Sequence, residues 1–424
     1  MRFFVSLITL TVWLGCSTLI AEDVVRFRGK DSQGIFNETG LKQSWPKEGL
    51  MPKWFSDDIG EGWSGIAKVK DRIYVNGLDP NDSKKESLVC LDLDGKKLWH
   101  KTLGSVWTAA YPQTRATPTY VAGEKPEDDK IVIYCGAGEL FCLAAKDGEI
   151  LWQKDLAKTY ETDFGNWGIA ESVIVRDGVV YAIVCGKKAL AVALKLADGS
   201  PVWESEPNDD KVAYVTPTIY EGKLIVMTAK YVTGLDIKTG KQVWRDDYQS
   251  YTGPVRMAGI NCITPLVKEN KMFVTSGFQQ GGVMFEILPD DKGIEKRWTN
   301  KALDPYFGGV VELDGKIYGG SFGGNWVSLD WETGETVYDV PWEQTEPRRE
   351  RLGKGAIIAA DGMLYLYEEK RGTVALVKPN DKFDVVSSFA IDFGSKEHWA
   401  HPVISDGVLY VRHGNVLGAY DIKE

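Results

Sequence analysis

Leu235-Asp236-Ile237-Lys238-Thr239-Gly240-Lys241-Gln242-Val243-Trp244 follows a small residue, Gly234, and a strand-like run, Glu221-Gly222-Lys223-Leu224-Ile225-Val226. An apolar run, a Thr-Gly turn and a second run ending in Trp read as strand, turn, strand. Glycine supplies the positive φ that such a tight turn needs. The pattern returns at residues 91–99 around Asp94-Gly95, at 143–152 around Asp147-Gly148 and at 194–203 around Asp198-Gly199. Looser copies lie at 287–298 with Gly293, at 329–338 around Thr333-Gly334 and at 376–389; a last one, Ala419-Tyr420-Asp421-Ile422, stops before its final strand.

A second signature lies upstream of the endings, a turn followed by an apolar run with Val or Tyr. Examples are Asp71-Arg72-Ile73-Tyr74-Val75, Asp177-Gly178-Val179-Val180-Tyr181, Asp314-Gly315-Lys316-Ile317-Tyr318, Asp361-Gly362-Met363-Leu364-Tyr365 and Asp406-Gly407-Val408-Leu409-Tyr410. A period of about 40 to 55 residues is that of four-stranded propeller blades. Eight third strands predict an all-β, eight-bladed β-propeller in one domain, residues 52–424. Pro52-Lys53-Trp54-Phe55 is the candidate outer strand for the last blade. Borrowing it would close the ring and leave no long open sheet edge. Residues 22–51 then form a lead-in segment.

The chain has 424 residues, 45 Gly, 15 Trp and 18 Tyr, and a formal charge of −10. That acidic balance argues against a nucleic-acid partner, which needs basic patches. Met1-Arg2, the apolar run 3–14 and Ala21 before Glu22-Asp23 read as an export signal over residues 1–21. The run is short for a membrane span. Leu14-Gly15-Cys16-Ser17 gives a second reading, a lipid anchor at Cys16, although Trp13 stands where lipoprotein signals usually carry Leu. The expected location is periplasmic or secreted, or the outer membrane if Cys16 is lipidated, and a monomer is expected. Five cysteines remain after the signal, an odd number that does not read as a disulfide framework. Cys90 and Cys142 fall in a column of small residues before the third-strand Leu, where a strand packs closely on its neighbour blade. Cys135 and Cys185 end second strands, and all four are expected to act as small core residues.

The repeat Leu-Asp-x-x-Thr/Asp-Gly-Lys-x-x-Trp, preceded by Asp-Gly-x-Val/Ile-Tyr, resembles the PQQ-like, or quinoprotein-like, β-propeller repeat over residues 52–424. Phe27-Arg28-Gly29 with Gly34, and Gly60-Glu61-Gly62-Trp63-Ser64, look like a group of exported bacterial proteins of this type. The resemblance implies that Trp54, Trp99, Trp152, Trp203, Trp244 and Trp298 dock on the neighbouring blade. The family's dehydrogenases carry PQQ under a ring of two adjacent cysteines and hold calcium with Glu and Asn, using an Asp as base. No Cys-Cys pair occurs in this chain, and the nearest positional candidates are Glu171, Asn261 and Asp304. Other members assemble outer membranes by binding partners alone.

Function is expected in the loops that run from each outer strand to the next inner strand, which gather at one mouth of the channel. They carry Trp63, the stretch 107–115 with Arg115, Asn166, Trp167, Glu171, Tyr214, Arg256, Asn261, Tyr306, Lys354, His398, Trp399 and His401. Aromatic faces with a few orienting polar groups suit a ligand site or a protein interface; the same residues could instead fill the channel. His398-x-x-His401 has too few ligands for a metal site, and strand residues three apart face opposite ways. Arg348-Arg349-Glu350-Arg351 with Lys354 reads as a solvated loop, or as a clamp for an anion. The expected protein is an exported, non-enzymatic scaffold that binds an envelope protein or a ligand. The alternatives are a PQQ- and calcium-dependent dehydrogenase and a carbohydrate-binding module.

Overall fold

The computed structural model describes residues 23–253, 259–344 and 352–424. The export-signal and Cys16 readings, Arg256 and the cluster Arg348–Arg351 lie outside the described residues. Eight antiparallel sheets form the blades of a propeller. Blade 4, which contains the opening stretch, has strands Thr218–Tyr220, Lys223–Met227, Val232–Asp236 and Gln242–Asp246. The other blades repeat this order within residues 66–105, 119–155, 174–204, 266–300, 310–340, 355–390 and 403–421.

Strand Pro52–Ser56 completes the eighth blade, pairing antiparallel with Val416–Asp421 so that Trp54 faces Ala419. The ring is therefore closed by the N-terminal strand. Arg412, fully buried, reinforces the seam. Its guanidinium donates to Ser64 Oγ at 2.5 Å, Asn76 O at 2.7 Å and Gly60 O at 3.0 Å, all on or before blade 1. Without a carboxylate beside it, burial alone lowers its pKa to about 9.

The small-residue column has a sharper cause than packing between blades. Its members face the large ring of their own outer strand: Cys90 opposes Trp99, Ala193 opposes Trp203, Gly234 opposes Trp244 and Ser328 opposes Tyr338. A Cβ on Gly234 would sit 2.2 Å from Trp244 Cε2. The register breaks just after each of these pairs, a bulge that re-aims the ring. The rings then cover the turn of the next blade. Trp152 Nε1 donates to Leu196 O and Trp203 Nε1 to Ile237 O, both at 2.9 Å, and Trp54 Nε1 to Leu93 O at 2.7 Å. Cβ atoms added to Gly148 and Gly334 would meet Trp99 at 2.7 Å and Trp298 at 2.4 Å. Trp244 differs in that the next turn is loose and nothing lies within 4 Å of a Cβ added to Gly293; its Nε1, like those of Trp99 and Trp298, has no partner among the described residues. Burying an aromatic ring of roughly 200 Å² contributes about 5 kcal/mol before entropy is counted.

The lead-in has no repeat pattern, yet it is built into the ring. Val24 bridges Lys68 of blade 1, and Val25 O accepts from Tyr120 N of blade 2 at 2.8 Å. Ile35–Phe36 pairs parallel with Ala359–Ala360 as a fifth strand of blade 7, and Leu41 bridges Lys423. Most of these partners sit toward the ends of inner strands, so residues 24–36 cross the channel at the end opposite the mouth. No described helix is long and apolar enough to cross a membrane.

Candidate functional site

Seven of the connections that precede inner strands contribute side chains to one cup at the channel mouth. It is lined by Trp63, Tyr111, Arg115, Trp167, Ala170, Tyr214, Ile260, Cys262, Tyr306, Phe307, Trp399 and His401, with Phe27 rising from the lead-in, and its volume is about 140 Å³. Phe27 packs edge-on against His401, ring centroids 5.1 Å apart, and together they make the floor. The cup is thus a dead end, because the lead-in passes beneath it.

Arg28 holds that floor. Its Nη1 donates to Ile357 O at 2.9 Å and to His401 Nδ1 at 3.0 Å, and its Nη2 to Val310 O at 2.6 Å and Gln33 O at 3.1 Å. Arginine only donates, so His401 Nδ1 accepts and Nε2–H donates to Phe307 O at 3.1 Å. Burial, with Arg28 adding to it, lowers the His401 pKa to about 3. Burial pushes Cys262, Tyr214 and Tyr306 up to about 12. Arg115 donates through Nη2 to the carbonyls of Ala110 and Tyr111, and its guanidinium carbon lies 5.8 Å from the Trp63 ring centre.

The structure brings together Trp63, Arg115, Trp167, Tyr214, Tyr306, Trp399 and His401 in the cup. It puts the other sequence candidates elsewhere. Glu171 is buried, and its two carboxylate oxygens accept from Ile183 N at 3.2 and 2.9 Å. Asn261 donates to Thr228 O at 2.7 Å and Ala229 O at 3.0 Å. Each is the direct neighbour of a lining residue, Ala170 or Cys262, and neighbours in extended chain face opposite sides. Asp304 caps the backbone of Gln279 and Phe322, at 2.7 and 2.9 Å. Asn166 is exposed and its carbonyl accepts from Trp107 Nε1 at 2.7 Å.

His398 points between blades 7 and 8, where Nδ1 lies 2.6 Å from Tyr367 Oη and its ring stacks on His413 at 3.6 Å. The two histidines of the His-x-x-His pair therefore face different surroundings. His413 is buried, with both ring nitrogens against backbone carbonyls of Phe393 and Lys396. Lys354 borders the cup without lining it; Nζ donates to Phe322 O at 2.8 Å and sits 3.8 Å from Glu369. Sequence reasoning missed Ala170, Ile260, Cys262, Phe307 and Phe27. Ile260 and Cys262 flank Asn261, and alternation along extended chain places them on the opposite face from it, whereas Phe27 stood out only as part of the Phe27-Arg28-Gly29 stretch and not as a site residue.

A family model described as outer membrane protein assembly factor BamB matches residues 84–340. The chain belongs to this PQQ-like propeller family. Among solved structures, BamB from Moraxella catarrhalis is similar at 13% identity and a TM-score of 0.60, over 88% of this chain and 99% of that one. The quinohemoprotein alcohol dehydrogenase from Comamonas testosteroni is similar at 10% identity and a TM-score of 0.66, over 95% and 80%. A europium-containing methanol dehydrogenase is similar at 12% identity and a TM-score of 0.63, over 93% and 90%. At such identities the likeness is one of fold, and it extends to binding proteins and enzymes alike. No protein of curated function matches the sequence.

Proposed function

We propose that this propeller is a non-enzymatic binding protein of the bacterial envelope, and that it engages its protein partner or ligand at the aromatic cup. The observation that carries this reading is the chemistry of the cup wall. General acid–base catalysis works best with a group whose pKa lies near the working pH. His401 is pushed far below neutrality, and Cys262, Tyr214 and Tyr306 far above it. The wall is suited to holding a group through apolar contact rather than to moving its protons. The match to an assembly-factor family and the expected export signal support an envelope location.

Against a quinone and calcium stand the commitments of Glu171, Asn261 and Asp304. Glu171 and Asp304 accept from backbone N–H groups, Asn261 donates its amide N–H to the carbonyls of Thr228 and Ala229 while its Oδ1 has no partner among the described residues, and none of the three lines the cup.

The test compares the wild-type protein with the triple variant W63A/W167A/W399A as affinity baits for envelope extracts, circular dichroism checking the fold of both. A partner retained by the wild type and lost by a folded variant is expected. Retention by both would move the binding surface elsewhere. Quinone-dependent dye reduction after addition of PQQ and Ca²⁺ would overturn the non-enzymatic reading.

A further inference from the structure

The rings of the cup meet one another at steep angles. Trp63 lies 4.8 Å from Trp399 at 47°, Trp399 lies 5.3 Å from Phe307 at 45°, and Trp167 lies 5.5 Å from Tyr214 at 87°. Rings set this way form a concave wall, not the flat platform on which a polymer stacks unit after unit. The volume sets the second limit. An apolar cavity of about 150 Å³ accommodates one benzene, and the cup measures about 140 Å³. One six-membered ring fits inside the cup, and anything larger must extend out through its mouth.

The third limit is charge. Arg115 brings a permanent cation to this wall, and both its hydrogen bonds go to backbone carbonyls, which supply no counter-charge. The carboxylate that acts on it most strongly, Glu86, makes its hydrogen bonds to other groups. Fully enclosed, it accepts from Asn76 Nδ2 at 3.0 Å and from Gly136 N at 2.7 Å. A guanidinium beside aromatic rings, short of a counter-ion, favours a carboxylate at the end of an apolar ligand.

We propose that the cup binds one aromatic ring carrying a carboxylate, with the ring seated against Trp63, Trp399 and Phe307 and the carboxylate on Arg115. This rests on the reading of the cup as a binding site and specifies what enters it. Such chemistry comes from a free aromatic acid or from a polypeptide that ends in an aromatic residue.

The probes are phenylacetate, its neutral twin phenylacetamide, and a short peptide ending in Phe with a free or an amidated C-terminus. Binding to the purified full chain is read by tryptophan fluorescence and by saturation-transfer NMR. Because hydrogen bonds to a charged group contribute about 1.5–3 kcal/mol, each acid should bind at least about tenfold tighter than its amide. That preference should vanish in Arg115→Gln. A second variant, Ala170→Leu, fills the cup while leaving Arg115 in place, and should abolish binding of all four probes. Tighter binding of the free-carboxylate peptide assigns the polypeptide source, and tighter binding of phenylacetate the free acid. Equal binding of acid and amide, a preference that survives in R115Q, or no saturable binding overturns the proposal. If no probe binds but the triple tryptophan variant still loses its envelope partner, the binding function stands and this ligand class falls.

Discussion

Arg28 Nη1 lies 3.0 Å from His401 Nδ1, so a residue of the lead-in is hydrogen-bonded to a residue of the last mouth loop. The bond runs through the middle of the ring and joins what the sequence places at opposite ends. Arg28 also satisfies the carbonyls of Ile357 and Val310, on the inner strands of blades 7 and 6.

Replacing Arg28 by Ala should therefore release the lead-in without dissolving the blades. Three buried carbonyls and one imidazole nitrogen lose their donor, at about 1–3 kcal/mol for each group left unsatisfied. Limited proteolysis should cut R28A within residues 23–36 while its β-sheet circular dichroism stays near wild type. Equal resistance of the two proteins would mean that the lead-in is held by its strand contacts alone.

The tryptophan docks allow a matched comparison. Gly240 and Gly222 have nearly the same φ, +70° and +73°, but a Cβ on Gly240 would lie 2.4 Å from Trp203 Cε3, while nothing lies within 4 Å of one on Gly222. Alanine at Gly222 should cost only the left-handed backbone term, about 1 kcal/mol. Alanine at Gly240 should cost clearly more, because the Trp203 ring must move off the turn. Urea midpoints of the two variants measure the difference, and equal losses would count against the dock.

Acid and base pull in opposite directions. His401 and His398 have folded pKa values of about 3 and about 4, below the ordinary 6.5. Their contribution is complete above pH 6.5 and is lost as pH falls, because the unfolded chain takes up protons that the folded one refuses. Glu86 is raised by burial to about 7 from 4.5, so its contribution is complete below pH 4.5 and is lost as pH rises through 7. Relative to Glu86→Gln, the wild type should gain about 1.4 kcal/mol for each unit that pH drops between 7 and 4.5. Denaturation of both proteins at pH 7 and pH 5 checks the sign; parallel profiles would remove Glu86 from the account.

Cys262 is the described cysteine that is not fully buried, and the other four are. Its thiol is also held up at about 12 by burial. Alkylation of the native protein at pH 8 should be slow, should label Cys262 before Cys90, Cys135, Cys142 or Cys185, and should slow further when phenylacetate is present. Peptide mapping by mass spectrometry reads the order.

The fold was legible because each blade repeats one solution. Leu235, Gly240 and Trp244 mark strand, turn and bulged outer strand, and the same spacing elsewhere gives the count of eight and the borrowed strand at Trp54. The aromatic part of the site was legible too, since Trp63, Trp167, Tyr306 and Trp399 stand in connections where the repeat makes no demand for a large ring. The polar part was less so. Glu171 and Asn261 sit one residue away from lining positions, and a one-residue step in extended chain turns a side chain to the other face. Phe27 and Arg28 were legible only as part of the Phe27-Arg28-Gly29 stretch; their role in the floor was not, because their contacts are made singly, with blades 6 to 8, and leave no period in the sequence.

The strand around Trp54 pairs with the strand around Ala419, and the segment before it bridges blades 1, 2 and 7. During synthesis these first segments emerge long before their last partners exist. Contacts so distant along the chain carry a large loop-closure cost and form late. Blades 1 to 6 can assemble in order as they appear, but the floor beneath the mouth must wait for His401 and the outer strand of blade 8 for residues 417–420. Closing the ring and sealing the cup are thus parts of one terminal step. A chain stopped before His401 would have neither a finished circle nor a complete floor to its binding site.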